Sequence, residues 1–255
     1  MKRFLSIFLI AAAAAASCAP SQKIARYGVK VEQEYPHDTL SYTQGLFFDG
    51  ETLYETAGQY GESRLMEVEL DTGTALRESR IENEIFAEGS CVIGNDLYVL
   101  TWLEGVCLVY DKNTFERKGQ KIYKRQGWGL TTDGSLLVMS DGSAQLYFVN
   151  PKTFTTVRSI TVRKNGKSVN MLNELEWIDG KIWANIYMKD EIVIIDPASG
   201  EVEATIDCRG LLDDKLRTRR TDVLNGIAYQ PSTGAIYLTG KYWPRMYRIT
   251  LSEKK

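Results

Sequence analysis

Five short stretches of the chain collect the side chains able to do chemistry. They are Tyr42-Thr43-Gln44-Gly45; Phe86-Ala87-Glu88-Gly89 with Thr101-Trp102; Gly127-Trp128-Gly129; Asn173-Glu174-Leu175-Glu176 with Ala184-Asn185-Ile186-Tyr187; and Asn225-Gly226 with Thr239-Gly240-Lys241-Tyr242-Trp243-Pro244. Together they supply a carboxylate, an amide, an ammonium and two or more indoles. That set suits a small polar ligand bearing an amine or amide. Each member alone has a plainer role. A tryptophan among stacked sheets more often packs between them, Glu88 beside a glycine reads equally as a surface carboxylate, and Lys241 as a solvated lysine.

Several other chemistries fall away. His37 is the only histidine of 255 residues, so a zinc site built on several histidines is excluded, and a Ser-His-Asp or Cys-His catalyst would have to use that one residue. No CxxC pair is present, which removes zinc-ribbon and redox motifs. Gly127-Trp128-Gly129 lacks the third glycine of a dinucleotide fingerprint, and Gly234 through Lys241 has one residue too many between its glycines for a phosphate loop. Asp133, Asp141, Asp179 and Asp190 fit turns better than a calcium loop. No metal ligand set and no required cofactor are therefore expected, although a structural cation in a central channel is left open. Lys+Arg 31 against Asp+Glu 33 gives a net charge of −2, or −4 once Lys2 and Arg3 leave with a leader, so no nucleic-acid partner is expected.

The elements that must carry these residues repeat along the chain. Short alternating runs bounded by Gly, Asp and Asn read as hairpins. Gly45 to Gly50 followed by Leu53-Tyr54 aligns with Leu130 to Gly134 followed by Leu136-Leu137, and with Leu175 to Gly180 followed by Ile182-Trp183. Cys91 to Tyr98 and Ile227 to Tyr237 repeat the pattern. The five starts, near Gly45, Gly89, Gly129, Glu174 and Gly226, lie 44, 40, 45 and 52 residues apart, inside or close to the interval of four-stranded propeller blades. A second turn recurs at Asp71, Asp111, Asn150 and Asp196, with Asp or Asn to cap and Gly where positive φ is needed. Val193-Ile194-Ile195 and Leu146 to Val149 read as outer strands. The expectation is an all-β chain, a five-bladed β-propeller over 26–252, closed by a strand from residues 26–40 pairing with Met246 to Thr250. Arg209 to Arg220 is the longest insertion, a short helix or loop. Its Arg217, Arg219 and Arg220 read as solvated rather than as an anion site.

With the repeats in place, the motifs themselves resemble a known family. Thr43-Gln44-Gly45-Leu46, Leu53 to Gly61, Phe86 to Gly89, Gly127 to Gly134, Asn173 to Glu176, Asp222 to Ala228 and Thr239 to Pro244 closely resemble the plant and bacterial type glutaminyl-peptide cyclotransferases, over about residues 35–250. The resemblance implies a five-bladed propeller and an acyltransferase of the aminoacyltransferase class. Its substrate would be a peptide or protein whose N-terminal glutamine becomes pyroglutamate with loss of ammonia. It places the family's essential glutamate on Glu88, and its pocket on Tyr42, Gln44, Phe86, Trp102, Trp128, Asn173 and Lys241. Tyr187 stands where relatives carry tryptophan and Tyr42 where they carry phenylalanine, changes that bear on substrate preference more than on the reaction. On this reading Glu88 is base and then acid, while Lys241 with Asn173 or Gln44 stabilises the oxyanion. Trp102, Trp128 and Tyr187 hold the side chain bent. Two competing readings are a non-catalytic exported binding module and a metal-dependent propeller lactonase or hydrolase using Glu88, Asn173, Glu174, Asn185 and Asn225.

The first residues read as an address. Lys2 and Arg3 precede an apolar run, Phe4 to Ala16, ending in small residues. Ala15-Ala16-Ser17-Cys18 is similar to a bacterial lipobox, so 1–18 is taken as a leader, with a lipid anchor at Cys18 favoured over plain secretion. The expected product is an exported monomer, periplasmic or membrane-anchored as a lipoprotein. Cys91, Cys107 and Cys208 then remain, an odd number that permits at most one disulfide.

Overall fold

Period-two patterning broken by turn residues leaves the chain little option but strands. A computed structural model describes residues 23–254, and the leader with its Cys18 lies outside the described residues. Strand β1 (Ala25–Pro36) comes first. Four antiparallel units follow: β2 (Thr43–Asp49), β3 (Thr52–Ala57), β4 (Arg64–Val68) and β5 (Ala75–Arg80); β6 (Ala87–Ile93), β7 (Asp96–Thr101), β8 (Val106–Asp111) and β9 (Arg117–Ile122); β10 (Leu130–Thr132), β11 (Leu137–Ser140), β12 (Gln145–Val149) and β13 (Thr156–Thr161); then, after a small hairpin of β14 (Arg163–Lys164) and β15 (Lys167–Ser168), β16 (Leu172–Ile178), β17 (Lys181–Ile186), β18 (Glu191–Ile195) and β19 (Val202–Asp207). The last unit takes β20 (Leu224–Gln230), β21 (Ala235–Gly240) and β22 (Arg245–Glu253), with β1 as its outermost strand.

The ring closes as the repeat implies. β1 runs antiparallel to β22, from Tyr27 opposite Glu253 to Pro36 opposite Arg245, and its first residues also pair in parallel with β19. The inner strands β2, β6, β10, β16 and β20 pack in that order, and β20 packs back against β2. Glycines recur at the inner-strand starts because these backbones nearly touch. A Cβ on Gly45 would strike Ser90, one on Gly89 would strike Gly129 and Leu130, and one on Gly129 would strike the carbonyl of Asn173. Unit four carries Glu174 instead, and its carboxylate accepts backbone N–H groups of Ile227 (2.9 Å) and Leu46 (3.4 Å).

Between successive blades lie five apolar clusters. Leu65 and Phe47 meet Leu97 and Val99, for instance, and Phe148 and Val138 meet Leu175 and Ile182. A blade is thus buried on both faces only by its neighbours, which makes the ring one cooperative core. The third-to-fourth turns explain their own composition: Asp111 Oδ1 and Asp196 Oδ1 each accept backbone N–H groups two and three residues on. Gly73 and Gly200 there adopt positive φ, and so do Phe115 (φ 60°) and Phe154 (φ 56°). Burial of both rings offsets that backbone cost.

Two details differ from the sequence reading. Leu146 to Val149 and Val193 to Ile195, expected as outer strands, are third strands, covered by β13 and β19. Their apolar character reflects burial between blades rather than an edge. The insertion at 209–220 contains one 3₁₀ turn, Asp214–Leu216. Arg217 pairs with Asp214 there, while Arg220 lies over the Tyr242 ring and reaches Glu62 at 3.7 Å. Cys91, Cys107 and Cys208 are buried free thiols. Burial pushes Cys208 up to about 12, which leaves it unreactive.

Candidate active site

Loops from all five blades converge at one end of the ring. Tyr42 and Gln44 arrive at the start of β2, Phe86 and Glu88 at the start of β6, Trp128 before β10 and Asn173 on β16; Trp102, Tyr187 and Lys241 follow the second strands β7, β17 and β21. All nine line one cavity of about 200 Å³, joined by Gln59 from the loop after β3. Sequence reasoning missed Gln59. Its signal was positional, since it follows a second strand as Trp102, Tyr187 and Lys241 do, and its φ of 113° is held at the wall.

Glu88 and Lys241 are the charged pair of this cavity, 4% and 2% exposed. Oε2 of Glu88 is buried without a hydrogen-bond partner. Burial lifts the Glu88 carboxyl well above its ordinary value; Lys241 opposes the shift and Glu104 adds to it. Burial lowers Lys241 to about 8, against the pull of Glu88 and Asp222. Its Nζ lies 4.3 Å from the centroid of the Tyr42 ring and 5.3 Å from that of Tyr187, so ring faces hold the ammonium.

The walls are a linked aromatic set. Phe86 meets Tyr42, Tyr60 and Trp102 edge-on, with centroids 5.4 to 6.0 Å apart, and Tyr187 stands edge-on to Trp128 at 5.6 Å. Gln126, also missed from sequence, fixes both indoles: its Oε1 accepts Nε1–H of Trp102 and of Trp128, each at 3.0 Å. Trp243, grouped with the candidates by type, is instead buried packing and donates to the Asp222 carbonyl at 2.9 Å. Asn225 Nδ2 donates to Thr43 O (2.9 Å) and Gln44 Oε1 (3.3 Å), which sets the Gln44 amide.

Of the five residues of the metal-hydrolase reading, Glu88 and Asn173 line the cavity, whereas Glu174 and Asn185 accept backbone N–H groups of Ile227 and Gly226 and Asn225 donates to Thr43 O and Gln44 Oε1, and none of these three lines it. Glu176, next to this group in sequence, accepts the N–H of Tyr229. Burial raises Glu174 well above the usual range and Glu176 to about 8. Among the described residues no three His, Cys, Asp or Glu side chains are grouped to hold a metal.

A closed propeller with a carboxyl, an ammonium and three amides inside an aromatic-walled pocket defines a class whose ring mouth is built to receive a small polar group. A model of the glutamine cyclotransferase family matches residues 4–251, and the chain belongs to that family. It is 39% identical over 231 residues to the glutaminyl-peptide cyclotransferase of Arabidopsis thaliana, across 88% of this chain and 72% of that one. The crystal structure of Myxococcus xanthus glutaminyl cyclase matches with a TM-score of 0.86 at 35% identity, over 91% of this chain and 100% of that one. The WD40 β-propeller domain of Doa1, 11% identical with a TM-score of 0.50 over 82% of this chain and 63% of that one, shares the fold alone.

Proposed function

We propose that this chain converts the N-terminal glutamine of a peptide or protein to pyroglutamate. The observation that carries the reading is the buried, unpartnered Glu88 oxygen sharing a cavity with the buried Lys241 ammonium. Nucleophile and electrophile belong to one residue, so the pocket has only to bend the side chain until the α-amine nitrogen meets the γ-carboxamide carbon. That C–N bond forms as the amine gives a proton to Glu88. Negative charge develops on the amide oxygen, beside Lys241 and the amides of Asn173 and Gln44. Glu88 returns the proton to the leaving nitrogen, the old C–N bond breaks, and ammonia departs. An acyl group has then moved from one nitrogen to another, which makes the reaction an aminoacyl transfer.

Trp102, Trp128, Phe86 and Tyr187 enclose the alkyl part, and the open mouth admits the rest of the peptide. The chemistry asks for no cofactor, so turnover should survive exhaustive chelation. The leader is carried forward on its sequence alone: export followed by lipidation at Cys18, read out as labelled acyl chain lost in Cys18→Ser. The deciding experiment follows ammonia and the loss of mass from a glutamine-initiated dipeptide, with wild type and Glu88→Gln. Wild type should turn over and the variant should be slower by about 10²- to 10⁴-fold. A folded variant at wild-type rate would remove Glu88 from the mechanism, and no turnover by wild type on several glutamine peptides would favour a binding module.

A further inference from the structure

The large apolar side chains exposed among the described residues fall into two sets. Val31, Leu76, Ile122 and Val157 lie on the outermost strands β1, β5, β9 and β13, around the circumference of the ring. Leu40, Tyr60, Leu103, Met171 and Met188 lie on loops. Each of these five is within two residues of a side chain lining the cavity: Tyr42, Gln59, Trp102, Asn173 and Tyr187 in turn. The mouth of the pocket is therefore bordered by apolar surface. Scattered exposed apolar residues are ordinary, but a set gathered around one opening is not.

Backbone conformation adds an independent observation. Met171 and Met188 both have φ of 66°, a region that non-glycine residues enter at a cost. At Phe115 and Phe154 burial offsets that cost, whereas Met188 is 65% exposed and Met171 38%. At Met171 the conformation is nonetheless fixed, since its N–H donates to Gly142 O and its carbonyl accepts from Tyr187 N, each at 2.8 Å. Both methionines are exposed on unit four. Tyr60 and Leu103 project from units one and two, on the opposite side of a five-membered ring.

We propose that this rim binds the residues that follow the N-terminal glutamine, and that it favours substrates with large apolar side chains at their second and third positions. The proposal rests on the cyclase reading. Continuity with the cavity identifies the occupant: with the glutaminyl group inside, against Glu88 and Lys241, its carbonyl must lead outward across this border. Thioethers adapt to many shapes, so the rim selects a class of side chain rather than one.

The test is steady-state turnover of glutamine amide, Gln-Ala-Ala amide and Gln-Leu-Phe amide by wild type and by the L103S/M188S double variant. Wild type should show kcat/KM for Gln-Leu-Phe amide about fivefold to tenfold above Gln-Ala-Ala amide, the gain from partly covering large apolar side chains. The double variant should bring that ratio close to one and leave glutamine amide unchanged, which also reports that it folds. Equal values for the two tripeptides with wild type, or a ratio the variant does not alter, would overturn the rim while the cyclase stands. No ammonia from any of the three would overturn the cyclase reading itself. A wild-type dimer that the variant dissolves, with peptide preference intact, would assign the rim to a second copy of the chain.

Discussion

Glu88 faces a mismatch that its burial resolves. An ordinary carboxyl holds a proton too weakly to take one from an α-amine of pKa about 7.7 to 8.0, and the upward shift of Glu88 narrows that gap. The same shift carries a stability cost. A carboxyl raised on folding favours the folded state while protonated and loses that advantage as pH climbs from 4.5 through its folded value. Glu88→Gln, measured by thermal unfolding at pH 8, should therefore match or exceed the wild-type Tm while its turnover collapses; a clearly lower Tm would mean the carboxyl is a structural anchor. Lys241 sets the other limb. Its ammonium loses its proton near pH 8, and with it the charge that steadies both Glu88 and the oxyanion, so kcat should fall as pH rises through about 8. Lys241→Arg, which keeps its charge, should turn over more slowly and push that alkaline limb upward. An unmoved limb would assign it to another group.

At the scale of elements, the inner strands both build the ring and aim the site. The Gly129 backbone passes so near the Asn173 carbonyl that a methyl group there must separate units three and four. Gly129→Ala should cost about 1–3 kcal/mol through overpacking and should lower kcat as well, because Asn173 moves with its strand. Gly134→Ala, at a turn with open space and φ of 89°, should cost stability alone. Matching activity losses in the two variants would break the link between strand contact and site. Such glycines are why the blades were legible: the close approach at Gly45, Gly89 and Gly129 imprints its spacing on the chain, and six of the nine pocket residues sit one or three positions before a unit start. Gln126 was not legible. An exposed glutamine has no distinguishing chemistry until units two and three stack and bring two indoles to one oxygen. Trp243 failed in the opposite direction, since residue type alone cannot separate an indole that walls a pocket from one that fills a core. Gln126→Ala should raise KM several-fold with little change in Tm, and an unchanged KM would show that the indoles are held by packing alone.

The whole molecule depends on joining its first strand to its last unit, since β1 supplies the fourth strand that the last unit lacks and so completes the ring. The chain's single histidine sits at that clasp. His37 follows β1, its Nδ1 lies 2.7 Å from the Trp243 carbonyl, and its Nε2 lies 3.2 Å from Glu55 Oε1 in unit one. The same carboxylate oxygen accepts the hydroxyls of Ser41 (2.5 Å) and Thr43 (2.7 Å), so one buried cluster ties the closing segment to the loops that carry Tyr42 and Lys241. Burial works against both charges; the partner carboxylate still holds His37 above 6.5, and the imidazolium with the three hydrogen bonds holds Glu55 below 4.5. The signs follow. A raised histidine contributes its stability in full below 6.5 and loses it as pH rises through the folded value; a lowered carboxyl contributes in full above 4.5 and loses it as pH falls through the folded value. The pair thus supports the ring most between pH 4.5 and 6.5. Glu174 and Glu176, raised by burial, add their own decline on the alkaline side, so the difference between two proteins carries the test. His37→Gln should lower stability at pH 5.5 by about 3–5 kcal/mol, the cost of breaking a buried pair, and the deficit should shrink as pH rises toward 9. Denaturant unfolding of both proteins at several pH values measures it. A deficit of equal size at every pH would make the imidazole a packing element of the clasp and leave the charge pair without a part in closure.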